Sequence, residues 1–303
     1  MRKTTAAFSA LALAALALTG CTATPGADAA GCGARGDSAA LASSVDVSGD
    51  LGSAKLTLER PVRSAKVSYT DVIRGDGRAV RDDSQSAIVT LSLYDGTSGQ
   101  VLQTGPGLWS PATLSQQLKD VGTVLDCATA GSRIVAAIPA SSLPEGAADQ
   151  IGLAQGDSLV GVFDVLDVLY PKAEGRDVFN DARVLPTVVR AADGRPGIII
   201  PDGAAPKKAV AQTLIAGEGQ KVGDLTPLFN FTAVGWADRT VSSSNWGDAV
   251  SSDLTSLPED VAAAVKKATV GSQLLVVVPG EGSDATAYVV DILGVIPEGL
   301  TQG

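Results

Sequence analysis

The sequence predicts an α+β fold used twice. Three observations carry that expectation. Alternating apolar strings outnumber helical ones, three short motifs recur in the same order, and 303 residues leave room for two ordinary domains after a leader and a tether. Ala128-Thr129-Ala130-Gly131-Ser132, leading to Pro139, recurs as Ala268-Thr269-Val270-Gly271-Ser272, leading to Pro279. Val162-Phe163-Asp164-Val165-Leu166 recurs as Val289-Val290-Asp291-Ile292-Leu293. Ile73-Arg74-Gly75-Asp76-Gly77 with Val80 recurs as Ile215-Ala216-Gly217-Glu218-Gly219 with Val222. The copies span 45–170 and 196–303, and the stretch 171–195, with its charges, Gly and Pro, reads as a linker.

The elements of each copy follow in order. Residues 55–59, 65–73 and 87–93 have strand character. Gly75-Asp76-Gly77 is a turn, since no helix pattern follows it and a phosphate loop would need a third glycine. Leu114, Leu118, Val121 and Leu125 share one face of a helix, and strands at 133–138 and 159–169 close the copy. In the second copy a helix is expected over 257–268, with Val261, Val265 and Ala268 on its buried side and a capping box of Ser256 and Glu259. Pro258 is tolerated in its first turn. Several strands, one helix and two more strands describe an antiparallel sheet with one helix packed on it.

The N-terminus carries a different signal. Arg2 and Lys3 precede the apolar run 6–18, which is short for a membrane span, and Leu18-Thr19-Gly20-Cys21 resembles a bacterial lipobox. Residues 1–20 are therefore expected to be a lipoprotein signal peptide. Cys21 would carry the lipid, 21–44 would be a flexible tether, and the protein would sit on the outer face of the cell membrane. Arg35-Gly36-Asp37 matches an adhesion tripeptide that recurs by chance.

Charge and composition exclude several function classes. The net charge is −10, or −12 without Arg2 and Lys3, which argues against nucleic acid as a partner and leaves membrane attachment to the lipid at Cys21. Histidine is absent, which removes His-based nucleophile systems and zinc sites; no metal and no cofactor is expected. Cys32 and Cys127 form an even pair in an oxidising compartment and suggest a disulfide, with two free thiols as the alternative. Asp82-Asp83 and the Asp164/Asp167 pair read as solvated carboxylates. Trp109 reads as a loop anchor, and Trp236 and Trp246 as packing residues or a pocket rim.

The second copy carries Phe229-Asn230-Phe231-Thr232-Ala233, Arg239 to Ser244, Val270 to Pro279 and Tyr288 to Leu293 in this order, and with them it resembles the FK506-binding-protein type of peptidyl-prolyl cis-trans isomerase. Phe229-Asn230-Phe231-Thr232-Ala233 is similar to that family's V-x-Y-x-G strand, and Arg239-Thr240-Val241-Ser242-Ser243-Ser244 to its G-x-x-F-D-S-S segment. Val270-Gly271-Ser272 through Pro279 is similar to its turn ending in I-P, and Tyr288-Val289-Val290-Asp291-Ile292-Leu293 to its last strand. The resemblance implies two FKBP-like domains, each a curved antiparallel sheet wrapped on one short helix. It implies a proline pocket of Phe231, Val241, Ser242, Val261 and Tyr288, and proline-containing or unfolded exported polypeptide as partner. Phe231 lacks the family's hydroxyl, Val241-Ser242 replace its Phe-Asp, and the loop 280–287 is short. In the first copy the corresponding positions read Val89-Thr90-Leu91 and Gly161. Isomerase, non-catalytic polypeptide-binding module and scaffold with filled grooves are the three readings that follow.

Overall fold

The computed structural model describes residues 32, 35–179, 184–281, 284–298 and 300. The segment 1–20, expected as a signal peptide, and Cys21 lie outside them. A one-turn helix, α1 (Ala39–Ala42), leads into a hairpin of β1 (Val45–Ser48) and β2 (Lys55–Leu58). Then come β3 (Ser68–Ile73), β4 (Ala87–Asp95), β5 (Val101–Trp109), α2 (Pro111–Gln117), β6 (Arg133–Pro139), α3 (Ala147–Gln150) and β7 (Ser158–Val168). The short β8 (Arg176–Asp177) precedes a second hairpin, β9 (Thr187–Arg190) and β10 (Pro196–Ile199). The chain closes with β11 (Val210–Ala216), β12 (Thr226–Gly235), β13 (Val241–Ser244), α4 (Glu259–Lys267), β14 (Gln273–Pro279) and β15 (Ala285–Ile296). The protein is sheet-rich with few helices.

Two larger antiparallel sheets result, one ordered β3-β6-β7-β4-β5 and the other β13-β12-β15-β14-β11-β8. Read from the opposite edge and without β8, the second repeats the first strand for strand. Side chains alternate across a strand, so each sheet offers two apolar faces, and both are covered. On one face of the first sheet Ile134, Ala136, Ile138 and Phe163 pack with Leu114, Val121 and Leu125. On the other, Val135, Ala137, Val160 and Val162 pack under Val45, Val47, Leu56 and Leu58 of the β1–β2 hairpin. In the second sheet Leu274, Val276, Val290 and Ile292 pack with Val261 and Val265 of α4. Behind them, Leu275, Val277, Ala287 and Val289 take Val188 and Ile198 of the β9–β10 hairpin. Each fully buried Val, Leu or Ile contributes about 1.5–3 kcal/mol.

The repeated motifs explain themselves as a latch between two loops. Thr129 Oγ1 donates to the Gly75 carbonyl at 2.7 Å while Gly75 N donates to Ser132 Oγ at 2.9 Å. Thr269, Gly217 and Ser272 make the same pair of bonds at 2.7 and 3.0 Å. The loops touch so closely that a Cβ on Gly75 or Gly217 would collide with the carbonyl oxygen of Ala130 or Val270. Gly131 and Gly271 turn the facing loop at φ of 87° and 90°, where a side chain is disfavoured.

Several expectations change. The stretch expected as linker, 171–195, holds β8, which pairs with β11, and β9, whose hairpin with β10 covers the second sheet. Residues 35–44, expected as tether, are built in. Arg35 pairs with Asp71 at 3.0 Å and lies over the Tyr69 ring, Asp37 accepts from Thr70 Oγ1 at 2.8 Å, and Leu41 of α1 is buried. Cys32 and Cys127 are joined by a disulfide across a separation of 95 residues. The helix expected through Leu125 stops at Gln117. Asp120 takes a left-handed φ of 65° and a 3-10 turn, Val121–Val124, follows. Leu114, Val121 and Leu125 keep helical spacing because all three face one core, not because one helix carries them. The Ser256–Glu259 capping box is not formed, since Pro258 is the N-cap and Ser256 ends a 3-10 turn with its hydroxyl on the Asp253 carbonyl. Ser110 and Thr113 make such a box at α2 instead. Trp109 ends β5, opposite Ala87, rather than anchoring a loop.

Candidate functional site

The α4 face of the second sheet gathers three of the five expected pocket residues. Val261 is fully buried on the first turn of α4; Phe231 on β12 and Tyr288 on β15 are partly buried against the same apolar cluster. β12 pairs with β15 so that Ala233 faces Tyr288 and Phe231 faces Val290, which makes Phe231 and Tyr288 diagonal neighbours. Phe231 also meets Phe229 at 6.3 Å between ring centroids. Burial raises the pKa of the Tyr288 phenol above its ordinary value, so the hydroxyl stays protonated and is a donor at neutral pH. Val241 and Ser242 are not brought to this cluster. They lie on the edge strand β13, where Val241 is 63% exposed and Ser242 Oγ donates to the Ala233 carbonyl.

Asn245 is the residue that the sequence pattern did not single out. Its Oδ1 accepts from Phe231 N at 2.7 Å, its N donates to the Phe231 carbonyl, and its Nδ2 donates to the Phe229 carbonyl at 3.2 Å. One residue, through its backbone N–H and its side chain, thus extends the ladder past the end of β13 and fixes the backbone that carries Phe231. Spacing alone carries no sign of such a role.

The same face of the first sheet is filled. Register equates Gly161 with Tyr288 and Leu91 with Phe231. A Cβ on Gly161 would lie 2.8 Å from the Phe163 ring, which occupies the space. The loop 140–158 then folds over the cluster through Leu143, Ala148 and the buried Leu153. In the second sheet the corresponding loop is short, Gly280 N donating to the Asp284 carbonyl at 2.8 Å, and none of its described residues packs on the apolar cluster.

No family model and no curated protein matches the chain. Solved structures do. The three FKBP domains of wheat FKBP73 match at 13% identity over 76% of this chain and 94% of that one, with a TM-score of 0.33. FkpA from Escherichia coli matches at 18% over 34% of this chain and 47% of that one, TM-score 0.27. A peptidyl-prolyl cis-trans isomerase from Pseudomonas syringae pv. tomato matches at 18% over 35% and 77%, TM-score 0.28. These neighbours include FKBP-type isomerases.

Behind each candidate face runs a buried polar row. In the first sheet it is Thr90, Asp164 and Arg133, in adjacent register. Asp164, expected on a solvated face, is 1% exposed and bound to Arg133 at 2.6 Å; its other oxygen accepts from Gly52 N. Arg133 also donates to the carbonyls of Gly49 and Asp50 in the β1–β2 turn, at 2.8 and 2.7 Å. In the second sheet the row is Asn230, Asp291 and Gln273. Asp291 accepts from Gln273 Nε2 at 2.7 Å and from Ala173 N at 2.9 Å, and Arg190 of β9 donates to Gln273 Oε1 at 2.8 Å. Burial pushes the Asp291 carboxyl up to about 6 against the pull of those two donors.

Proposed function

We propose that this protein is an FKBP-type peptidyl-prolyl isomerase-like lipoprotein, lipid-anchored through Cys21, that handles exported polypeptide outside the cell membrane. It has two FKBP-like domains, at 45–170 and 196–303, and the working face is in the second. The observation that carries this reading is the partly buried Phe231–Tyr288 pair packed with Val261, on which no described residue of the 280–284 turn packs. Rotating an X–Pro amide breaks resonance against a barrier of about 18–20 kcal/mol and needs neither nucleophile nor metal. An apolar wall holds the prolyl ring, and the Tyr288 hydroxyl is a donor for a carbonyl whose amide twists. The first domain, filled by Phe163 and its loop, serves as structure.

A proline-peptide isomerisation assay on the mature chain tests the reading. Catalysis above buffer is expected, with loss of about tenfold or more in Phe231→Ala and little change in Leu91→Ala. A rate equal to buffer rejects catalysis. Peptide binding without rate favours the second reading, a non-catalytic binding module, which has its own support in Val241 and Ser242 lying outside the cluster. Lipid anchoring is checked separately, by labelled-palmitate incorporation that disappears in Cys21→Ser.

A further inference from the structure

The two copies meet through the same residues. Register equates Thr90 with Asn230 and Asp164 with Asp291, which makes Ile88 of β4 the counterpart of Leu228 of β12. Both ladders then slip by one residue at the same place. The residue turned out of the ladder is Leu166 in β7 and Leu293 in β15, a second equivalent pair. Leu169 and Ile296 follow at equal spacing as a third. These three pairs make up most of one apolar cluster, in which Ile88, Leu169, Leu228 and Leu293 are each no more than 4% exposed. Leu108, opposite Ile88, and Val250, next to the Ser251–Phe229 bridge, join it from the segments beside β4 and β12. Across the contact Tyr170 N donates to the Leu293 carbonyl at 2.9 Å. Leu169 seats against Gly294, where a Cβ would collide with its side chain. The symmetry has two breaks: Pro297 stands in the place of Tyr170 with no N–H to give, and Asp167 stands in the place of Gly294. Two units that touch without relation bury different surfaces, whereas the meeting of equal surfaces is the mark of a twofold pair.

We infer that this surface is the self-association face of the repeated unit, so that the chain is a fused pseudo-twofold dimer whose copies tumble and unfold as one body. Linked domains move relative to each other by default, and an apolar interface suppresses that motion. The inference concerns how the copies are joined and holds whether or not the Phe231–Tyr288 face has activity. The test uses the isotope-labelled mature chain, with Trp109 reporting on the first sheet and Trp236 on the second. Amide relaxation should give both sheets one rotational correlation time. In urea the two indole resonances, assigned by Trp→Phe replacement, should lose native intensity at one midpoint. Leu228→Asp sets a charge between the copies and should part the two midpoints by about 1 M urea. Gly294→Val, which wedges Leu169 out without adding charge, should part them too. Ile88→Ala and Leu228→Ala should lower the shared midpoint alike, and together by less than the sum, because both residues line one cleft of about 160 Å³. Two correlation times or two midpoints in the wild-type chain, one midpoint kept in both Leu228→Asp and Gly294→Val, or additive losses in the alanine pair would each overturn the inference.

Discussion

The two polar rows solve one problem in two ways. Each sheet buries an aspartate at the same register position, and each gives it a backbone N–H from a neighbouring loop. In the first sheet the compensating cation, Arg133, is on the adjacent strand and touches the carboxylate directly. In the second, the strand carries Gln273 and the cation has moved to the hairpin as Arg190, one side chain further away. Direct contact offsets the cost of burying a charge; contact through an amide does so less, and the Asp291 carboxyl is accordingly pushed up by burial. Both arrangements tie a hairpin to a sheet. Only the first does so with a full ion pair.

Removing the first cation has the largest expected effect. Arg133→Met leaves Asp164 buried without its partner and should cost about 3–5 kcal/mol in urea unfolding. Arg133→Gln, which copies the second row, should lose less; equal losses would mean that the amide of Gln273 does nothing comparable. The latch is where the sheets should agree: Gly75→Ala and Gly217→Ala should each destabilise by about 3 kcal/mol, and a large disparity would break the equivalence of the loops. The pH dependence should differ between the rows. Asp291 binds its proton more tightly folded, at about 6, than at its ordinary 3.8. Its contribution is then fully present below pH 3.8 and lost as pH rises through 6. The stability difference between wild type and Asp291→Asn should fall by on the order of 3 kcal/mol between pH 3.5 and pH 7. A flat difference would show that Arg190 compensates the charge after all. Val241→Ser sits at the small end, within about 0.5 kcal/mol and with peptide binding unchanged, since the side chain faces solvent.

The duplication was legible because a close approach of backbones admits only glycine, and the same threonine and serine must hold it; Gly75 and Gly217 stand out wherever the chain is read. The hairpins were not. β9 sits in a stretch of charges, Gly and Pro that resembles a linker, and of the apolar pairs Val188-Val189 and Ile198-Ile199 only Val188 and Ile198 pack on the sheet. Asp164 looked solvated because its partner lies 31 residues away on another strand, a pairing that register alone creates. Of the candidate pocket, Phe231 and Tyr288 were legible only through the resemblance of their strands, and Val261 also through helix periodicity. Val241 and Ser242 required knowing that β13 is an edge strand whose register shifts between Ala233 and Val234.

The bond between Cys32 and Cys127 also decides how the molecule bears load. Tension applied ahead of Cys32 crosses covalently to Cys127, a few residues before β6, and travels on from there. Everything between the two cysteines, β1 to β5 with α1 and α2, forms a closed ring through which no pull is transmitted. Three of the five strands of the first sheet are mechanically idle while β6 and β7 act as the strut.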